Sequence, residues 1–249
     1  MANIPTITSS TRPATAVAGD AYFETDTGNF IIWNGSTWNV FQTDSILLSS
    51  NQSSASFDGT DDIITISNAS SIAITGDMTI TAWLYLGATG AFQYVAVKRA
   101  SGTNYQFYIR DTDILSFYDG SNIVNDTTTL SGSTWYHVAV VVDAGSSTKF
   151  YIDGSLSSTG VSTSPVATTD DLFLGALPSL SQYLNGNLDD VAIFNRALSA
   201  GEISDIYNNN LYRNPVALWR FENNAQDSIG SNHGTGSGGV ILNSGNKPY

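Results

Sequence analysis

Apolar and polar positions along most of this chain alternate in short runs instead of recurring at helical spacing, a pattern that predicts strands. From residue 45 onward the runs arrive at regular intervals. Turn residues separate them: Asp58-Gly59, Gly76-Asp77, the Gly87 to Gly90 stretch, Asp119-Gly120, Asp153-Gly154 and 185–187. Short strands at this cadence make an all-β sandwich or jelly roll. Residues 138–143 and 149–152 predict a hairpin over 144–148, and Trp83 and Trp135 read as core residues. The stretch 185–207, NGNLDDVAIFNRALSAGEISDIY, predicts one strand followed by one short helix. Leu188, Ala192 and Phe194 are assigned to one face and Val191 and Ile193 to the other, as in a strand covered on both sides. Ser199 caps the helix and Glu202, three residues on, closes a capping box. Leu198, Ile203, Ile206 and Tyr207 give it an apolar stripe. Asp189 and Asp190 sit inside the strand, where adjacent carboxylates are costly unless satisfied; that conflict points to a functional or metal-linked feature.

The first 19 residues, rich in Thr, Ser, Ala and Pro, predict an extended arm. Runs at 21–24, 29–33 and 37–41 follow, split by 26–28 and by Asn34-Gly35, a strong hairpin signal. A three-stranded meander of this size is marginal alone. Tyr22, Phe23, Phe30, Trp33, Trp38 and Phe41 must therefore pack on the chain's own sandwich or on another subunit. The division expected is an attachment arm and β-meander over 1–42, then a sandwich over 43–249.

Length and charge narrow the function. A chain of 249 residues holds one large all-β domain with a small appendage, and with no cysteine it has neither disulfides nor thiolate metal sites. A net charge of -13, with 9 Lys and Arg, excludes nucleic-acid backbones and anionic membranes as partners. It does supply hard oxygen ligands. The N-terminus shows no basic and apolar leader, and no apolar run is long enough to span a bilayer. The expectation is a protein made and folded in a cytoplasm.

Four stretches together resemble a known family: SASFDGTDDIITI at 54–66, MTITAWLYL at 78–86, WYHVAVVVDAGSSTKFYIDG at 135–154, and the 185–207 ending already quoted. They are similar to the laminin G-like group of concanavalin A-like jelly rolls, and cover roughly 45–209. Residues 216–242, VALWRFENNAQDSIGSNHGTGSGGVIL, resemble the segment that normally opens such a domain. The resemblance implies a circularly permuted jelly roll in which this segment supplies the first strand region; a second, truncated domain or a strand swapped into a neighbouring subunit are the alternatives. Residues 12–38 resemble a segment recurring in bacteriophage tail-fibre, adaptor and decoration proteins.

An enzyme would need an acid pair. Glycoside hydrolysis uses two carboxyl groups flanking the scissile bond, but no E-x-D-x-E cluster occurs, and Asp111 and Asp113 fall at a hairpin tip. The G-S-T-W strings at 35–38 and 132–135 resemble part of a sialidase Asp-box, yet Trp33 and Leu130 stand where its Asp belongs. His137 and His233 have no nucleophile at a recognisable spacing. The family resemblance implies calcium, with Asp58, Asp189 and Asp190 as its ligands. For carbohydrate, the aromatic and amide groups beside predicted turns are Asn104 with Tyr105, Tyr118 with Asn122, and Tyr183.

These readings converge on a non-enzymatic bacteriophage virion structural protein on the particle surface, a capsid decoration, fibre or tail appendage, localised to the virion and assembled in the host cytoplasm. Its expected partners are other virion proteins through the N-terminal arm, a second copy of itself in a homo-oligomer, and a host-surface glycan. The competing readings are a secreted bacterial carbohydrate-binding module and a glycoside hydrolase.

Overall fold

A computed structural model describes residues 6–24, 29–42, 53–98, 105–166 and 168–244. The chain divides into two compact units, Met1–Ser50 and Asn51–Tyr249. Among the described residues no helix is long and apolar enough to cross a membrane.

The N-terminal unit is a four-stranded sheet. Strand Thr6–Ile7 runs parallel to Ala21–Glu24, which pairs antiparallel with Asn29–Trp33, and that in turn with Trp38–Gln42. Residues 6–7, within the expected arm, are therefore part of the sheet. The edge of Ala21–Glu24 takes a main-chain partner, and the fully buried Glu24 carboxylate accepts two hydrogen bonds from the Arg12 guanidinium. A buried carboxylate needs such a bidentate cation, and Arg12 supplies it from the segment expected to be extended. The hairpin turn is longer than Asn-Gly alone. Trp33 pairs with Trp38, so 34–37 forms the loop; Asn34 Oδ1 accepts from the amides of Ser36 (2.9 Å) and Thr37 (2.8 Å). Trp38 packs on Tyr22 (5.7 Å between ring centroids) and on Trp33 (5.2 Å). The side chains of Phe23, Phe30 and Phe41 lie outside the described set.

The second unit is a β-sandwich. One sheet has seven strands in the order Ile123–Thr129, Ile114–Tyr118, Gln106–Ile109, Gln93–Val97, Leu172–Leu174, Ile63–Ile66 and Gly234–Ser237. The other has eight: Ser155–Gly160, Ser147–Ile152, Thr134–Asp143, Met78–Leu86, Asn185–Phe194, Ala55–Asp58 and Ile241–Leu242, with Ala217–Trp219 also pairing with Asn185–Phe194. Alternation along each strand sends Ile64, Leu174, Phe107 and Phe117 from one sheet against Ile80, Leu84, Val140 and Ile193 from the other, all fully buried. At one side the edge strands of the two sheets are stapled together. Buried Asp126 accepts from Ser157 (2.9 Å) and Ser158 (2.5 Å), and Thr128 meets Ser157 at 2.7 Å.

Residues 217–244 return to both sheets. Gly234–Ser237 pairs with Ile63–Ile66, and Ile241–Leu242 with Ala55–Asp58. Fully buried Trp219 donates its indole N–H to the Asn232 carbonyl (2.8 Å). Asp227 organises the loop between, accepting from the Leu218 amide (3.1 Å) and the Asn232 side-chain amide (2.9 Å). The segment read as a first strand region thus belongs to this sandwich.

Strand Asn185–Phe194 is irregular at its two adjacent acids. Its register against Met78–Leu86 shifts between Asp189 and Ala192, and Asp190 adopts φ +44°. The resulting β-bulge moves Leu188 onto the sandwich side with Val191 and Ile193, where strict alternation would have opposed them. Ala192 and Phe194 face outward beneath helix Ala200–Asn209, which seats Ile203 and Ile206 over them. The helix begins as its sequence demands, with the Glu202 amide donating to Ser199 Oγ and the Glu202 carboxylate accepting from the Ser199 amide.

Candidate functional site

The acids expected to share one site are divided between two. Asp189 and Asp190 are fully buried. Asp189 Oδ1 accepts from the Asp190 amide (2.7 Å), and Asp189 pairs with Trp83 across the strands. The buried Tyr212 stands against them. Burial holds its hydroxyl well above the usual tyrosine range, the Asp190 and Asp189 charges raise it further, and Arg220 offsets part of this. The Arg220 guanidinium lies over the Tyr212 ring, 5.7 Å from its centroid.

Asp58 lies elsewhere. It pairs with Asn185, four residues along the strand from Asp189 and hence roughly 13 Å away at the usual rise per residue. The turn it opens brings in two residues that the sequence reading passed over, Asp61 and Asp62, so that one carboxylate oxygen from each of the three lies within 4.8 Å of the others. Gly59 at φ +82° makes the tight return possible. Asp58 Oδ1 accepts from the Thr60 amide (2.7 Å), and Asp62 Oδ2 from the Asp58 amide (2.8 Å). Asp62 is 4% exposed and its Oδ1 accepts no hydrogen bond. Burial raises its carboxyl above the usual range, the Asp58 amide pulls it back, and the Asp58 and Asp61 charges push it up again. The signal for this group was the D-G-T-D-D string itself, whose second half carries acids where a plain turn needs none.

The aromatic candidates also separate. Tyr105 is fully buried and donates its hydroxyl to the Ile72 carbonyl (3.1 Å), which leaves no ring face for a ligand; Asn104 lies outside the described residues. Tyr118 is half-buried on the outward face of the seven-stranded sheet. It packs with a group that the sequence reading did not assemble: Tyr94, Tyr108, Val97 and Leu177, with Phe92 and Phe173 against them. Tyr94 and Tyr108 stack at 5.2 Å and 18°, Phe92 extends the stack from Tyr108 at 6.3 Å, and Arg110 lies 5.8 Å over the Phe92 ring. Tyr94 donates to Gln182 (2.9 Å), the neighbour of half-buried Tyr183. Asn122 is exposed, yet its amide is turned inward to Asp119 (3.3 Å). Alternation in Q-Y-V-A-V and Q-F-Y-I could have placed Tyr94 and Tyr108 on one outward face, but their adjacency needed the strand pairing. Trp135, expected in the core, is half-buried on the outer face of the other sheet beside Tyr85 (5.6 Å), because Tyr136 and Val138 flank it on the inward side.

The acids at the hairpin tip are bound into the turn. Asp113 Oδ1 accepts from the Gly90 amide (2.8 Å) at φ +61°, and Asp111 meets Arg110 at 3.9 Å. The cleft between the helix and the chain that follows it, lined by Phe194, Arg196, Glu202 and Arg213 among others, encloses no space for even a water molecule. That is below the size of ordinary ligand pockets, and an ion pair of Arg196 with Glu202 (2.7 Å) crosses it.

The two-sheet sandwich with its outer helix has known counterparts. A sequence profile of the concanavalin A-like lectin/glucanases superfamily matches residues 58–204, more than half of the chain. The chain belongs to that superfamily. No curated protein sequence matches it. Among solved structures this superfamily member is similar to a Bacteroides ovatus ATCC 8483 protein with an inferred carbohydrate-binding role, at TM-score 0.59 and 13% identity over 93% of this chain and 72% of that one. It is similar to a heptameric SAP-like pentraxin from Limulus polyphemus, at TM-score 0.58 and 16% identity over 79% and 96%. The binding domain of Paraclostridial Mosquitocidal Protein 1 follows at TM-score 0.51 and 15% identity, over 74% of this chain and 46% of that one. At these identities the likeness carries the lectin-like fold and nothing finer.

Proposed function

We propose that this protein is a non-enzymatic glycan-binding module, carried on the surface of a bacteriophage virion by its N-terminal unit. The observation that supports glycan contact is the aromatic group on the outward face of the seven-stranded sheet. Half-buried Phe92, Tyr118 and Phe173 edge a stacked Tyr94–Tyr108 pair, with the Gln182 amide and the Arg110 guanidinium beside it. Apolar ring faces flanked by a few directional polar groups suit the alternating C–H and hydroxyl surfaces of a sugar. The absence of turnover is supported by the acids themselves: Asp111 and Asp113 are tied into a turn, and Asp189 and Asp190 are buried. Attachment through the N-terminus is supported by the compactness of Met1–Ser50 as a unit of its own and by the resemblance of residues 12–38 to phage appendage segments.

A glycan panel tests the first part. The double variant Phe92→Ala/Tyr118→Ala should bind about tenfold more weakly while still melting cooperatively, as expected from losing about 1–1.5 kcal/mol of ring contact. Failure of the wild type to bind any glycan, or release of reducing ends from one, sinks the reading. Removal of residues 1–42 should leave glycan binding intact while abolishing incorporation into particles; full incorporation would place the anchor elsewhere.

A further inference from the structure

We propose that Lys98 and Asn68 are the partners of a spontaneous intramolecular isopeptide bond, formed with loss of ammonia and assisted by the Asp170 carboxyl group. The Lys98 side chain is fully buried just beyond the end of strand Gln93–Val97. A lysine is almost never buried so completely unless its charge is paired. Yet none of the ion pairs among the described residues involves Lys98. Its Nζ donates instead to two neutral oxygens, Asn68 Oδ1 at 2.6 Å and the Asp170 main-chain carbonyl. The Asn68 side-chain carbonyl carbon lies one bond, about 1.2 Å, beyond that oxygen. The amine therefore stands close to the separation of reacting atoms in a near-attack arrangement, about 3–3.5 Å. Asn68 is held from its other side, its main-chain amide donating to Asp171 Oδ1 (2.8 Å). It is also exposed, which gives released ammonia a way out.

The attacking amine must be neutral. Burial lowers Lys98 from the usual lysine range, and the Asp170 and Asp171 charges offset part of this. One oxygen of the Asp170 carboxyl group is itself shielded from solvent. A proton passed from the Lys98 ammonium to that group removes two buried charges at once. The Nζ lone pair then forms a bond to Asn68 Cγ, and the carbonyl π pair moves onto Oδ1. As the carbonyl re-forms, the Cγ–Nδ2 bond breaks. Nδ2 leaves as ammonia with one proton from Nζ, relayed by the Asp170 carboxyl group. Nothing is oxidised or reduced, and no co-reactant is needed. The place in the fold gives the bond its use. Strand Leu172–Leu174, three residues long, runs between Gln93–Val97 and Ile63–Ile66. A bond from Lys98 to Asn68 bridges the strands on either side of it, in a chain with no cysteine for a disulfide. Closing that loop covalently restricts the unfolded chain as a disulfide does. This inference goes beyond the glycan reading and does not rest on it.

The test is mass spectrometry on the full chain, intact and after protease digestion. The folded wild type should be lighter than its sequence by the mass of one ammonia. Its digest should contain a branched peptide joining the segment around residue 68 to the segment around residue 98. Lys98→Arg and Asn68→Ala should each abolish the branched peptide and restore the full mass. Asp170→Asn should slow cross-linking by about a hundredfold or more, read as the branched fraction against time after cell-free synthesis. The wild-type digest decides the matter even if a variant fails to fold. A wild-type chain at full mass with linear peptides only, or ammonia loss that persists in Lys98→Arg, would overturn the bond. Cross-linking at the wild-type rate in Asp170→Asn would overturn the part given to that carboxyl group.

Discussion

Asp119 shows how a polar residue beside the candidate ligand residues Tyr118 and Asn122 is consumed by the fold. It is 4% exposed and accepts from the amides of Ser121 (2.8 Å), Asn122 (2.7 Å) and Ser164 (3.0 Å). Burial works to raise its carboxyl, but these donors outweigh it and hold the group below the usual carboxylate range. A depressed folded-state value means that the stabilisation is complete above the unfolded value, near 3.9, and is lost as pH falls through the folded one. Asp119→Ala should therefore cost about 1–3 kcal/mol at pH 7, the penalty of leaving buried amides unsatisfied. Urea denaturation should show the gap to wild type narrowing below about pH 4; a gap constant with pH would mean that the carboxylate's charge contributes nothing.

Among elements, the helix and the bulged strand before it differ in what specifies them. The helix is set locally, by Ser199, Glu202 and an apolar stripe, and Arg196 adds an ion pair to Glu202 at 2.7 Å. Its Glu202 carboxyl is opposed by burial yet held below the usual range by the Ser199 amide and Arg196. Ser199→Ala should destabilise the sandwich by about 1 kcal/mol, the usual worth of an N-cap. Thermal melts check it; Ser199→Gly should lose only a few tenths, and equal losses would point to packing instead of capping. The strand is another matter. Its apolar residues were visible, but their assignment to faces depended on where the register slipped against the partner strand.

For the whole molecule, the decisive contribution is the C-terminal return. Strands Ala217–Trp219, Gly234–Ser237 and Ile241–Leu242 pair with three strands of the two sheets, and Trp219 and Phe221 join the core between them. A fragment ending at residue 210 loses all of this and exposes apolar surface on both sheets. It should be insoluble or molten, without a cooperative melt or dispersed amide resonances. A monomeric 1–210 fragment with a sharp transition would show that residues 216–242 are an appendage and not part of the domain.

What the sequence determined by itself is what depends on near neighbours. Strand period, turn residues, the hairpin that became Thr134–Asp143 and Ser147–Ile152, and the capping box all follow from chemistry within a few residues. The family resemblance follows too, because turn and core residues recur at fixed spacing. Tertiary structure decided which of these residues share space. It sent Tyr105 into the core and left Tyr118 on an outward face with Tyr94 and Tyr108. It drew Thr6–Ile7 into a parallel pair and supplied Arg12 to a buried Glu24. It gathered Asp61 and Asp62 with Asp58 while parting Asp58 from Asp189. Pairing across a sheet joins positions far apart in the chain, and a single bulge exchanges the faces beyond it, so no local period carries that information.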